Sequence, residues 1–191
     1  IALGILALFS FGMAGGGGED EKKTAREVEN NAFTFGESLE YRVHYGAVTA
    51  GIAKLEVNKK PTVVNGRECY HMVGKGTSSK SFSLFYKVND RYETYVDKET
   101  LAPLKYKRKI EEGSFRAYTE VKFDQAANKA YERRSGHDGT ATYDVPEYIQ
   151  DVLSAFYFAR TQDYSNAKPG DLTHFENYID RAVHDLNVKF I

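Results

Sequence analysis

With 191 residues, 41% hydrophobic and 28% charged, the chain is long enough to bury one substantial core and too apolar to be disordered throughout. A formal net charge of −1 gives no basic excess of the kind that nucleic-acid binding draws on. Fourteen Tyr and twelve Phe without a Trp favour pleated, half-buried surfaces and therefore strands, while a single cysteine leaves no intramolecular disulfide, so packing must hold the fold.

The opening stretch IALGILALFSFGMA is apolar and ends in Gly12-Met13-Ala14, a small-x-small pattern suited to cleavage, so residues 1–14 read as the hydrophobic region of a secretory signal. Without an initiator Met or a basic stretch before it, the sequence is expected to begin inside that signal; an uncleaved anchor is the other reading. No cysteine stands just after the run, where a lipid anchor would need one, the only cysteine being Cys69. The expectation is a periplasmic or otherwise exported protein, not a lipoprotein, without a transmembrane span once mature. Residues 15–31 read as a flexible linker and 32–191 as one β-rich domain.

In FTFGESLEYRVHYGAVTAGIAKLEV the odd positions Phe35, Leu39, Tyr41, Val43, Tyr45, Gly51, Ala53, Leu55 and Val57 are apolar or small. The even ones carry Glu40, Arg42, His44, Lys54 and Glu56. The alternation predicts two strands, about 37–45 and 50–58, reversing around Gly46-Ala47-Val48-Thr49. Asn65-Gly66 between apolar flanks predicts a tight hairpin leading into a strand at 67–73. GKGTSSKS then reads as a flexible loop, SFSLFYKVNDRYETYVD as a return to sheet, and DKETLAP as a turn. Leu104, Tyr106, Arg108 and Ile110 alternate with Lys105, Lys107 and Lys109, and Phe115, Ala117, Thr119, Val121 and Phe123 repeat the pattern. These successive strands describe a mainly β fold, an antiparallel meander. One helix interrupts it, expected over about 146–160 with Asp144 or Val145 at the cap, Pro146 in the first turn, and a stripe of Ile149, Val152, Leu153, Phe156 and Ala159 packed on the concave side. Pro169-Gly170 fits a type II turn before a final strand pair from about Leu172. HDLNVKFI alternates to the last residue, so the domain is expected to be incomplete at its C-terminus.

Chemistry-bearing patterns are sparse. Cys69 and His71 share a strand face and could pair as thiol and base, but inward-facing strand residues look the same and free Cys is usually buried. The five histidines show no metal-ligand spacing, and Glu111-Glu112 before Gly113 reads as a solvated loop. No catalytic residue, metal or cofactor is expected. The row Lys105, Lys107, Lys109 is a basic face, read either as the guard of an edge strand or as a patch for anionic lipid headgroups or acidic glycans. The first hairpin sets large residues opposite small ones. Its apolar side, Leu39, Tyr41, Val43, Tyr45, Gly51, Ala53 and Leu55, together with Phe156, is the candidate lining of an apolar ligand cavity, core packing being the alternative.

Taken together, FGESLEYRVHYG, FYKVNDRYETYVD, EEGSF, DVLSAFYFAR and KPGD resemble an exported bacterial family called domain of unknown function 3108, common in Bacteroidetes, over about 33–191. The resemblance implies an antiparallel sheet curled into a half-barrel that continues for further strands. It also implies a fold similar to capsule-assembly and lipoprotein-carrier-like envelope proteins, and it brings no catalytic residue. Three functions are then in view. The first is a non-catalytic envelope protein binding an apolar, lipid or polysaccharide ligand in cell-envelope or surface-polysaccharide biogenesis. The second is a periplasmic structural or adaptor protein that docks another envelope protein. The third is a glycan hydrolase.

Overall fold

Alternating apolar and polar residues over most of the chain produce strands, and short turns between them pair each strand with its sequence neighbour. A computed structural model describes residues 26–46 and 48–191. The expected signal region and most of the expected linker, residues 15–25, lie outside the described residues. The strands are β1 (Ser38–Tyr45), β2 (Val48–Val57), β3 (Thr62–Val64), β4 (Arg67–Ser78), β5 (Asn89–Asp97), β6 (Pro103–Glu112), β7 (Phe115–Asp124), β8 (Lys129–Arg134) and β9 (Ala141–Asp144), followed by helix α1 (Val152–Ala159) and the hairpin β10 (Leu172–Ile179) and β11 (Ala182–Lys189). The first nine form one antiparallel meander in the order β1-β2-β4-β5-β6-β7-β8-β9, with β3 paired to the start of β4. The sheet does not close: it is a curled half-barrel with β1 and β9 as its edges, as expected. Among the described residues no helix is long and apolar enough to cross a membrane.

Turn chemistry fixes the registers. Asn65 and Gly66 hold φ of 50° and 79°, the left-handed pair that a two-residue hairpin needs to follow the strand twist. Pro169 and Gly170 close the expected turn, with Gly170 at φ 100° and the Asp171 amide donating to the Lys168 carbonyl at 3.0 Å. At β5–β6 the buried Asp97 carboxylate accepts from the Glu99 and Thr100 amides, the Thr100 hydroxyl and the Arg67 guanidinium, and so ties the turn to β4.

Two expected elements differ. GKGTS is not a loop: β4 runs to Ser78, with Gly74 paired to Leu55 and Tyr92 and Gly76 to Ala53 and Asp90. Two neighbouring ladders satisfy the glycine backbone and outweigh glycine's low strand propensity. The helix starts at Val152, six residues after Pro146, because the preceding segment does other work. The Ile149 amide turns back to the Pro146 carbonyl, Tyr148 holds φ 55°, and Gln150 bridges to Asn177 of β10. Asp151 is the cap, accepting from the Leu153 and Ser154 amides while the Ser154 hydroxyl accepts from the Asp151 amide at 2.8 Å, a complete capping box. The later start rotates the buried stripe, so Leu153, Ala155 and Tyr157 face inward and Val152 and Phe156 stay partly exposed.

The concave face carries two cores. Under α1, Val57, Tyr70, Met72 and Val96 pack against Phe33, Leu101, Leu153 and Tyr157. Under the β10–β11 hairpin, Tyr106, Val121, Phe123 and Ala130 pack against Val145, Ile149 and Tyr178. Residues 26–31, expected as the end of a linker, are fastened to the domain. The Arg26 guanidinium donates to the Thr100 carbonyl at 2.7 and 3.0 Å and lies 4.3 Å over the Tyr148 ring, and the Val28 amide donates to the Glu99 carbonyl.

Burial of Asp151 also makes stability depend on pH. Full burial pushes its carboxyl up to about 6, against the three donors that favour the charged form. A folded-state value above the unfolded one means that the neutral form favours folding. This contribution is complete below about pH 4 and is lost as pH rises through about 6. Glu93, Asp97, Glu120 and Asp180 are shifted downward, so their contributions fade only on the acid side of that window. Chemical denaturation at pH 7.5 and pH 5 should therefore show the parent chain gaining about 1 kcal/mol relative to Asp151→Asn, which mimics the neutral carboxyl. Parallel profiles for the two proteins would refute this role.

Candidate functional site

Side chains on the concave face follow directly from register. Ala53, Leu55 and Val57 of β2 lie across from Gly76, Gly74 and Met72 of β4, and these lie across from Asp90, Tyr92 and Thr94 of β5. Helix α1 covers the Val57–Met72–Thr94 end and leaves the Ala53–Gly76–Asp90 end uncovered. Between its first turn, the end of β10 and the strands is a recess of about 320 Å3, lined by Ala53, Leu55, Gly74, Tyr92, Leu153 and Ile179 among others. Only Lys75 and Arg108 among its lining residues are charged.

The two glycines act differently. A side-chain carbon on Gly74 would meet Leu55 Cδ2 at 3.3 Å and Leu153 Cδ1 at 3.5 Å, so this glycine lets the helix seat on the sheet. The same carbon on Gly76 would meet nothing closer than Asp90 Cβ at 3.9 Å. Neither a left-handed φ nor a close neighbour requires glycine at position 76, and its missing side chain opens the floor of the recess.

Beyond Tyr92 and Arg108, which line both, a second cavity of about 570 Å3 is lined by Ile110, Thr119, Arg134, His137 and Asp180 among others. Its polar wall is organised by the β10–β11 turn. The Arg108 guanidinium donates to Asp180 at 2.6 Å and that of Arg134 at 3.4 Å, and the Arg108 bond holds the Asp180 carboxyl below the usual range. Buried Glu132 accepts from Arg134 at 2.9 Å and from Arg181 and the Tyr178 hydroxyl at 3.1 Å. The concave face thus runs from an apolar recess to a charged cavity across one arginine.

Of the residues singled out from sequence, Ala53 and Leu55 line the recess. Leu39, Tyr41 and Val43 share its face one strand farther out, paired with Leu55, Ala53 and Gly51, and Tyr41 and Val43 are about half exposed. The backbone of Tyr45 pairs with Val48 past a bulge after Val43. Gly51 is buried, and the Thr77 carbonyl occupies the place a side chain would take, so close backbone approach accounts for this glycine. Phe156 lies one helical turn beyond Val152, stacked edge-on against Tyr157 and outside the recess lining. Sequence reading missed Gly74, Gly76, Tyr92, Leu153 and Ile179 as one constellation. Its one available signal was that two glycines separated by a single residue put both vacancies on one strand face.

Lys105, Lys107 and Lys109 lie on the opposite, convex face. Their strand, β6, sits between β5 and β7, so the edge-guard reading does not hold. Lys105 pairs with Glu120 at 3.3 Å, Lys109 with Glu111 at 2.7 Å, and Lys107 lies 5.9 Å over the Tyr95 ring. His71 contacts Glu93 at 2.7 Å through Nε2 and stacks on Tyr95 at 4.3 Å. It is thereby committed to the convex-face network, while Cys69 is buried and its thiol donates to the Arg67 carbonyl. Burial pushes that thiol up to about 11, so it is protonated at neutral pH. Among the described residues no three or more His, Cys, Asp or Glu gather as a metal site. The expected behaviour of Cys69 is slow reaction with a thiol reagent in the folded protein, sped at least a hundredfold by denaturant; equal rates in both states would show a reactive thiol.

No curated protein and no solved structure matches the chain. The model of one family, described as Protein of unknown function (DUF3108), matches residues 40–191, which takes in every strand of both sheets except the first two residues of β1, together with the helix. By that match over most of its length, the chain belongs to the DUF3108 family.

Proposed function

We propose that this is an exported, non-catalytic binding protein of the cell envelope that holds an apolar ligand, or the apolar part of a lipid or glycan-linked one, in the recess beside α1. The observation that carries the reading is Gly76: within a strand paired on both sides, a position no turn or close contact reserves for glycine opens the floor of an apolar recess beside the helix. The adjoining Arg108 and Arg134 give an amphiphile's polar end a charged neighbour. The expected half-barrel similarity to capsule-assembly and lipoprotein-carrier-like envelope proteins and the signal-like residues 1–14 support a place in cell-envelope or surface-polysaccharide biogenesis.

The chain, secreted through its own reading frame and purified without detergent, should show by native mass spectrometry a reproducible non-covalent adduct that denaturation releases. A clean apo mass, with no uptake of an apolar fluorescent probe, would end the ligand-binding reading and favour an adaptor. The two glycines then provide a matched pair. Gly76→Leu should fill the recess and weaken probe binding at least tenfold with little loss of stability, because a strand glycine is itself unfavourable by about 0.5–1 kcal/mol. Gly74→Val should instead lower stability by about 1–3 kcal/mol, since Leu153 and Leu55 must both give way.

A further inference from the structure

The connection between β4 and β5 has a feature that neither the core nor the recess uses. Leu84 and Phe85 are 86% and 87% exposed, Tyr86 is 46% exposed, and Phe115 on the neighbouring β6–β7 hairpin is 59% exposed. A short loop ordinarily folds such side chains back, since an exposed Leu–Phe pair forgoes burial. Here a lattice of short-range bonds holds them out. The Ser83 hydroxyl donates to the Ser79 carbonyl at 2.7 Å and lies 2.8 Å from the Ser78 hydroxyl, while the Phe82 amide donates to the Ser79 hydroxyl and the Val88 amide to the Ser78 hydroxyl. The Phe85 and Tyr86 amides both donate to the Phe82 carbonyl, closing a tight 3-10 turn over Phe82–Leu84. Behind the turn, the Gly113 amide donates to the Lys87 carbonyl and the Tyr86 ring lies against Gly113, where a side chain would come within 3.2 Å of it. The apolar pair is thus held out at the end of the sheet by bonds of the loop backbone and its serines, not by its own side chains.

Charge selects the partner. From Ser78 to Asn89 the sequence holds Lys80 and Lys87 and no acidic residue, and exposed Arg116 follows Phe115. The carboxylates on the adjoining strand ends are already engaged: Glu112 accepts from the Tyr86 hydroxyl at 3.4 Å, Glu111 from Lys109 at 2.7 Å and Asn89 at 2.9 Å, and buried Asp90 from the Glu111 amide at 3.0 Å. A protruding Leu–Phe tip, a tyrosine behind it and a collar of cations reproduce the layering of an anionic bilayer surface: acyl chains, interface, phosphates. We infer that the β4–β5 tip docks the protein on membranes, with Leu84 and Phe85 entering the acyl-chain boundary and Lys80, Lys87 and Arg116 meeting anionic phospholipid headgroups. This docking does not depend on the recess holding a ligand.

The chain has no tryptophan, so one introduced indole reports on one position. Phe85→Trp places it at the tip, and Val63→Trp places it on β3, at the opposite end of β4 and 67% exposed. The full chain carrying either substitution would be mixed with vesicles of equal parts phosphatidylglycerol and phosphatidylcholine, or of phosphatidylcholine alone, with bromine on the acyl chains. The expected result is blue-shifted, bromine-quenched emission for Phe85→Trp with the anionic vesicles, weaker quenching with phosphatidylcholine alone, and none for Val63→Trp. Adding Leu84→Ser to Phe85→Trp should weaken partitioning about tenfold. Because acyl-chain bromine reports the depth of position 85 itself, attachment through another segment does not mimic this result. An indole at 85 that stays solvent-exposed with both vesicles overturns the inference in favour of a protein partner at the tip, and equal quenching at 63 and 85 overturns it as non-specific adsorption.

Discussion

The arrangement of the concave face depends on one buried carboxylate. Asp151 accepts the Thr94 hydroxyl of β5 at 2.5 Å with one oxygen and the two amides of the first turn of α1 with the other. An eight-residue helix is too short to persist alone in water. This carboxylate both starts it and sets where it lies on the sheet. Helix position in turn decides which strand residues are covered. With the start at Val152, Leu153 falls on Gly74 and the Ala53–Gly76 end stays uncovered.

The other half of the face is closed by a hairpin whose turn has no glycine. Asp180 and Arg181 hold φ of 49° and 70°, conformations that side-chain-bearing residues adopt reluctantly. Both side chains are committed across the sheet, Asp180 to Arg108 and Arg134, and Arg181 to Glu132. The ion pairs that dock the hairpin therefore also stabilise its turn. The same contacts form the wall between the apolar recess and the charged cavity, so the character of the face changes over the width of Tyr92 and Arg108.

The strand order and most turns were legible because their signals are local. Period-two alternation marks β1, β2, β6 and β7, Asn65-Gly66 specifies its hairpin, and Pro169-Gly170 specifies its turn. What was not legible rested on long-range contacts. GKGTS resembles a loop until strands on both sides pair with it, and Pro146 resembles a helix start until Gln150 bridges to β10 and Asp151 reaches Thr94. The site suffered more than the fold. Ala53 and Leu55 could be placed on the right face from alternation alone, but Leu153, Ile179 and Tyr92 meet there only after the helix and second sheet are seated. The lysine row was visible and Glu111 sits two residues from Lys109 on the same strand, but the pairing of Lys105 with Glu120 is a matter of register between β6 and β7.

Gly74 and Gly76 also set how the sheet can deform. Between Met72 and Ser78 the concave side of β4 carries no side chain at two successive inward positions. Side chains packed shoulder to shoulder stiffen a sheet against bending across its strands; Leu55 and Leu153 fill the space at Gly74, but at Gly76 the ladder bonds to β2 and β5 act without that support. Side-chain support of the sheet is therefore thinnest at the Gly76 end of β4, which the helix leaves uncovered. A change of curvature at that point would alter the width of the recess, while Leu153 stays seated on Gly74.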